Sequence, residues 1–260
     1  MAAEVDSRGW ERRGLSAWPA LHSVVVGVWV LRASGGYTKR ANSANALGES
    51  RAFPANAIAD EKPKRDFREI IAEVEGFYAA SRQPTIFRIT PLADPEADCF
   101  LAAAGYDFLD PCTTMVAPLD DARANAEIQI ELHVSSAWLD RAAATKGVDT
   151  SHRAAHDLIV RSIRSPVAFT TAFLAGAAAG FGLGVLEDAA IGLFEIAVRS
   201  DCRGRGLGRD ITRGLMAWGR SQGAAAAYLQ VLDANRPAIR LYESLGFRAA
   251  YSYHYRRRAL

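Results

Sequence analysis

This 260-residue chain has little cysteine and almost no net charge. Its three cysteines, Cys99, Cys112 and Cys202, are odd in number and show no metal-ligand spacing. No metal is expected, and reduced thiols point to a cytoplasmic protein. Cys202 is read as a small packing residue. A net charge of +2 makes no electrostatic case for nucleic acid, and the basic clusters Arg203 to Arg209 and Arg256 to Arg258 are too short to change that. Met1 to Arg13 carries charges of both signs and no apolar signal-peptide region. One uncharged run, Val167 to Leu186, is long enough to span a bilayer. It is rich in Ala, Gly and Thr, which gain little in hydrocarbon, and Leu174-Ala175-Gly176-Ala177 breaks it with a turn signal. It is read as a buried hairpin, and no membrane partner is expected. No acidic run marks a polyamine-binding cleft.

What is present is concentrated between Ile196 and Tyr255. Its centre is Arg203-Gly204-Arg205-Gly206-Leu207-Gly208. A strand-like segment enters this loop and a helical pattern leaves it. Glycines let backbone turn sharply and approach an anion. The unpaired N–H groups and the dipole of the following helix favour negative charge. Arg203, Arg205 and Arg209 add charge-assisted hydrogen bonds. The loop therefore reads as a phosphate holder. It lacks the Gly-Lys-Ser/Thr of a Walker loop and the G-x-G-x-x-G of a dinucleotide fold.

The second half reads, in order, as helices from Ser136 to Thr145 and from Ser151 to Ile163, then an antiparallel pair from Val167 to Leu174 and Ala179 to Leu186. A strand from Ala190 to Arg199 leads into the loop. A helix from Leu207 to Gln222 is stopped by Gly223. A strand follows from Ala226 to Leu232, then a short helix capped by Asn235 with Pro237 in its first turn, and a last strand from Arg248 to Arg256. The first half carries a helical start at Trp10 to Pro19, a strand from Val24 to Arg32, and a polar loop from Ser34 to Ser43. An exposed loop is expected from Gly48 to Pro63. A helix from Lys64 to Ser81 shows an apolar face of Phe67, Ile70, Ile71, Val74, Phe77 and Tyr78. A strand from Thr85 to Thr90, a helix from Pro95 to Ala104 and a strand through Thr113 to Ala117 complete it.

The loop, its helix, the strand Ala227 to Val231, Asn235, Ala238-Ile239-Arg240-Leu241-Tyr242 and Leu245-Gly246-Phe247 follow one another in an order that closely resembles the GNAT superfamily of acetyl-CoA-dependent N-acetyltransferases. The resemblance covers roughly residues 126–260. It implies an α/β (α+β) GNAT fold, a mixed and mostly antiparallel sheet flanked by helices. It also implies acetyl-CoA as cosubstrate and an amine, of a small molecule or a protein, as acceptor.

The first half repeats this order. Shifted by 141 residues, Glu75 to Phe108 lies on Met216 to Ala249 without a gap. Phe77 falls on Trp218, Asp94 on Asn235, Gly105 on Gly246 and Tyr106 on Phe247. Two tandem GNAT-like halves are therefore expected: a degenerate domain over residues 1–120 and an acetyl-CoA-binding domain over 126–260, with the boundary in Pro118 to Ala126. The first half lacks R-x-x-G-x-G, and Leu101 stands where Tyr242 stands.

Chemistry then falls to a few residues. By the resemblance, Tyr242 is the general acid to the departing thiolate; a phenol with a pKa of about 10 is protonated at neutral pH. Glu195, in the otherwise apolar Gly192 to Val198, is a candidate base whose carboxyl burial would raise toward neutrality; an ion pair with an arginine, or an exposed strand end, is the other reading. Family enzymes commonly carry this glutamate one position earlier, here Phe194, and one step turns a strand residue to the opposite face. Relatives that acetylate protein N-termini have a glutamate where this chain has Gln230. His254 is a second base by chemistry alone, or a packed histidine. Ile196, Ala197 and Val198 are expected to pair with the pantetheine arm. The amides from Gly204, Arg205, Gly206, Leu207 and Gly208 to Arg209 are expected to hold the pyrophosphate. Asn235 caps its helix or reaches the pantetheine. The loop from Gly35 to Ser43 either shapes the acceptor pocket or lies on the surface. The leading expectation is an N-acetyltransferase, monomer or homodimer. The competing one is a non-catalytic acyl-CoA-binding module.

Overall fold

Local signals set most element boundaries in the computed structural model, which describes residues 6–48, 66–119 and 128–260. The first half contains α1 (Ser7–Ala17), β1 (His22–Val26), β2 (Trp29–Ala33), β3 (Ala44–Ala46), α2 (Phe67–Ala80), β4 (Thr85–Ile89), α3 (Ala97–Ala103) and β5 (Asp107–Pro118). The second contains β6 (Ile128–Glu131), α4 (Ser136–Lys146), α5 (Thr150–Ser162), β7 (Val167–Leu174), β8 (Ala177–Glu187) and β9 (Ala190–Val198). It ends with α6 (Leu207–Ser221), β10 (Ala226–Leu232), α7 (Arg236–Glu243) and β11 (Arg248–Arg258). Side-chain caps start several helices: Asp66 accepts from the Arg68 N–H at 2.9 Å, Ser135 from Trp138 at 3.1 Å and Asp149 from Ser151 at 2.8 Å.

Some boundaries depart from the sequence reading. The single strand expected from Val24 to Arg32 is a hairpin, β1 and β2, because Gly27 turns the chain with φ +59°. The strand expected at Thr113 to Ala117 begins at Asp107, as β5. The short strands β3 and β6 have too few residues for a periodic signal. The loop expected from Gly48 to Pro63 lies, after Gly48, outside the described residues, as does most of the boundary expected in Pro118 to Ala126. The uncharged run is the hairpin of β7 and β8, closed at Ala175-Gly176. Among the described residues, no helix is long and apolar enough to cross a membrane.

Among the described residues eleven strands form one sheet, ordered β1-β2-β3-β4-β11-β5-β10-β9-β8-β7-β6. The two halves exchange strands within it. The last strand of the chain, β11, lies antiparallel between β4 and β5, and β5 lies antiparallel between β11 and β10. The core is shared as well: Ala17, Trp18 and Ala41 pack in one cluster with Trp138, Phe169 and Phe194. On another part of the sheet α6 lies directly on β8. A Cβ added to Gly182 would stand 2.5 Å from Ile211 Cγ2, so glycine lets this helix approach.

One junction of the sheet is incomplete, and it positions the site. β9 and β10 run parallel and pair only from Ala190↔Ala226 to Gly192↔Tyr228. Beyond Gly192 the two strands splay, while β9 keeps its pairing with β8 out to Val198.

Candidate active site

The splay between β9 and β10 opens a cleft of about 370 Å³. Leu193 to Ile196 form one wall and Leu229 to Leu232 the other. Tyr242 and Asn235 of α7 and its cap close one side, and Trp18, Thr38 and Arg40 of the first half face in from another. The edge of β9 that faces the cleft carries no β10 partner from Leu193 to Val198. A main chain in that state can pair with an extended amide-bearing chain, as Ile196, Ala197 and Val198 were expected to do.

Past Val198 the chain reaches the glycine-rich loop. Gly204 and Gly206 take φ +76° and +85°, values that only glycine adopts without strain. Gly206 is the N-cap of α6 and offers no side chain to its orphan donors. Among the described residues, the N–H groups of Gly204, Arg205, Gly206, Leu207 and Gly208 make no backbone hydrogen bond. Arg209 departs from the expectation: its N–H is taken by the Gly206 carbonyl at 2.9 Å, so only its side chain remains for an anion. Arg203 is partly committed too, its Nε donating to the Val198 carbonyl at 3.3 Å. Five free amides at a helix N-terminus with three arginines around them form an anion cradle.

Tyr242 packs against the core of the second half, its ring 5.8 Å from that of Phe247. Burial pushes its phenol up to about 12. Among the described residues no hydrogen bond reaches its hydroxyl, so it is protonated and free to donate into the cleft. Asn235 caps α7 by accepting from the Ala238 N–H at 3.3 Å, and it also lines the cleft.

Glu195 sits on a bulge. Leu183 faces Phe194 and Phe181 faces Ala197, which leaves one extra residue on β9, and Glu195 takes φ +55°. The bulge turns both neighbours toward the cleft: Phe194 lines it, stacked on Trp18 at 5.8 Å, and Glu195 lines it beside Lys146. The carboxylate is paired with Lys146 Nζ and lies 3.1 Å from His156 Nε2. The expectation that burial would raise this carboxyl is overturned. Burial does push it up, but Lys146 and His156 outweigh burial and hold it at about 2. His156 in turn meets Asp157 at 2.8 Å through Nδ1. Lys146 also donates to the Tyr37 hydroxyl at 3.2 Å.

Lys146 and His156 are functional candidates that sequence reasoning missed. The signal for His156 was its place with Ile159 and Val160 on the buried face of α5. The loop from Gly35 to Ser43 lies at the cleft through Thr38, Lys39 and Arg40. Gln230 lines the cleft. His254 does not: it bonds Asp98 at 2.7 Å and stacks on Phe108. Cys202 is buried in the core.

Comparison with known proteins agrees with this geometry. A family described as "Probable histone acetyltransferase Rv0428c C-terminal" matches residues 5–258. The chain is 29% identical over 257 residues to the uncharacterized N-acetyltransferase YobR of Bacillus subtilis, covering 96% of this chain and 98% of that one. A GCN5-related N-acetyltransferase structure from Kribbella flavida superposes with a TM-score of 0.66 at 15% identity, over 98% of this chain and 96% of its own. A tandem GNAT protein from the clavulanic acid biosynthesis pathway superposes with a TM-score of 0.61 at 13% identity, over 95% of this chain and 86% of its own. The fold is the GNAT fold.

Proposed function

The chain belongs to the Rv0428c C-terminal family and is a GNAT-type acetyltransferase, and from that premise we propose that it moves an acetyl group from acetyl-CoA to an amine in the cleft between β9 and β10. The observation that carries the reading is the splay of these strands directly before a free helix N-terminus. That arrangement suits a cofactor with an extended amide arm and a pyrophosphate. The open edge from Ile196 to Val198 would pair with the arm, the amides of Gly204 to Gly208 would hold the pyrophosphate, and Arg203, Arg205 and Arg209 would surround it. The acetyl thioester supplies an activated acyl carbon. An N–C bond would form as the C–S bond breaks, with one proton passing from the amine to water and Tyr242 donating one to the sulfur.

Glu195 enters this account as a positioning residue. In its pairing with Lys146 and His156 it is a weak base, so it fixes the bulge and the Lys146 ammonium rather than taking the amine's proton. The first half, in this reading, is a degenerate copy that supplies the strand β5 and a wall of the cleft, without a phosphate loop of its own.

Tyr242→Phe tests the assignment. The rate constant kcat should fall about 10²-fold, within the usual range for a lost general acid, while the Kd for acetyl-CoA stays within about twofold. A variant as fast as the wild type on a proven amine would remove Tyr242 from the chemistry.

A further inference from the structure

The charges lining the cleft do not cancel. Lys39, Arg40 and Lys146 bring three cations to it, and Asp110 and Glu195 bring two carboxylates. Lys39 pairs with Asp110 at 2.5 Å, and Lys146 pairs with Glu195. Arg40 is left over. Among the described residues no carboxylate pairs with its guanidinium, and its Nε is buried without a hydrogen-bond partner. Its guanidinium lies 5.4 Å from the centroid of the Phe194 ring, next to the bulge. The layer behind it adds no compensation. Arg88 is neutralised by Glu11. Arg32 is buried and gives its side-chain hydrogen bonds to the main-chain carbonyls of Leu15, Trp18 and Arg40.

An unpaired guanidinium facing a cavity is expensive to leave unsatisfied. Its planar fork suits a carboxylate or a phosphate, which it can bind through two parallel hydrogen bonds. The cofactor's own phosphates are not the natural occupant. Their cradle begins beyond Val198, four residues along β9 from Phe194, roughly 13 Å away at the rise of a strand. Arg40 instead lies over the Phe194 ring and lines the same cleft as Glu195 and Tyr242. The cavity is also small, about 370 Å³ for the whole cleft.

We propose that the acceptor is a small amine that also bears an oxyanion, a carboxylate or a phosphate, and that Arg40 holds this anion while the amine faces the β9 bulge. The inference rests on the acetyl-transfer reading and deepens it. It predicts discrimination by charge, since a site built around a charged fork loses much of its binding when the matching group is removed.

The test is an initial-rate panel on the intact protein with acetyl-CoA. It compares α-amino acids with their C-terminal amides, and 2-aminoethyl phosphate with ethanolamine. The acid of at least one pair should exceed its neutral partner at least tenfold in kcat/KM, and the pair that responds tells carboxylate from phosphate. In Arg40→Gln, with its melting temperature checked, that ratio should fall to near one through a raised KM for the acid. Arg40→Lys, which keeps the charge and loses the fork, should fall between. Turnover with neutral amines as good as the acids, or a preference that survives Arg40→Gln, would overturn the inference while leaving acetyl transfer standing. No turnover of any amine, together with no binding of acetyl-CoA, would remove the parent reading and this inference with it.

Discussion

Glu195 holds a backbone conformation, φ +55°, that costs a residue with a Cβ roughly 1–2 kcal/mol. Its partners fix it there, because Lys146 and His156 converge on the carboxylate from α4 and α5. Glu195→Gln leaves the Lys146 ammonium and the His156 ring facing an amide. Breaking a buried pair in this way typically costs about 3–5 kcal/mol, and urea melts at pH 7 should show a loss of that order. The pH dependence has a definite sign. The free carboxyl titrates near 4.5 and the paired one near 2, so the pairing stabilises the fold fully above pH 4.5 and fades as pH falls toward 2. The difference between wild type and variant should therefore shrink from pH 5 to pH 3; a constant difference would show that the pairing is not what holds the bulge. The places of Tyr242 at the cleft and of Gly204 and Gly206 before α6 were legible in the sequence because the motif sets each at a fixed spacing from its neighbours. Lys146, His156 and Arg40 were not. They stand 49, 39 and 155 residues from Glu195 in the chain, and no local periodicity reports which side chains a fold will bring together. The pKa of Glu195 departs from the sequence expectation for the same reason: burial was readable from an apolar strand, but its partners Lys146 and His156 were not.

Helices and most strands were legible as elements because their apolar periods and caps are local. The offset of 141 residues carries α2 onto α6, β4 onto β10, α3 onto α7 and β5 onto β11 within two residues at matched starts. It also carries Arg82, at φ +52°, onto Gly223 and Gly105 onto Gly246, all four in left-handed turns. What the sequence could not show is which partner each strand takes. Period-two patterning gives a strand its faces, not its neighbours, and here β5 and β11 each sit in the other half's gap. This exchange makes a prediction. A fragment of residues 126–260 lacks the strand that separates β10 from β11, so it should be insoluble or show no cooperative melt when expressed alone. Co-expression with residues 1–125 should recover a soluble complex. A fragment that melts cooperatively by itself would show that the strand exchange is dispensable.

For the molecule as a whole, the cleft is a joint product of the two halves. The second supplies the splayed strands, the anion cradle and Tyr242. The first supplies Trp18, Arg40 and the strand β5 that holds β10 and β11 apart. The fold was legible because the loop, the helix and the Asn235 to Phe247 segment lie in one continuous stretch. The cleft wall of Trp18, Thr38 and Arg40 was not, because it comes from the opposite end of the chain. The central claim is that this cleft binds acetyl-CoA through the free amides at the start of α6. Calorimetric titration with acetyl-CoA tests it most directly, in the wild type and in Gly206→Glu, with the variant's melt recorded alongside. The account predicts one-to-one binding by the wild type and at least a tenfold loss in a variant that still melts cooperatively, since the new carboxylate would occupy and repel the pyrophosphate position. No binding by the wild type, or equal binding by both proteins, would contradict it.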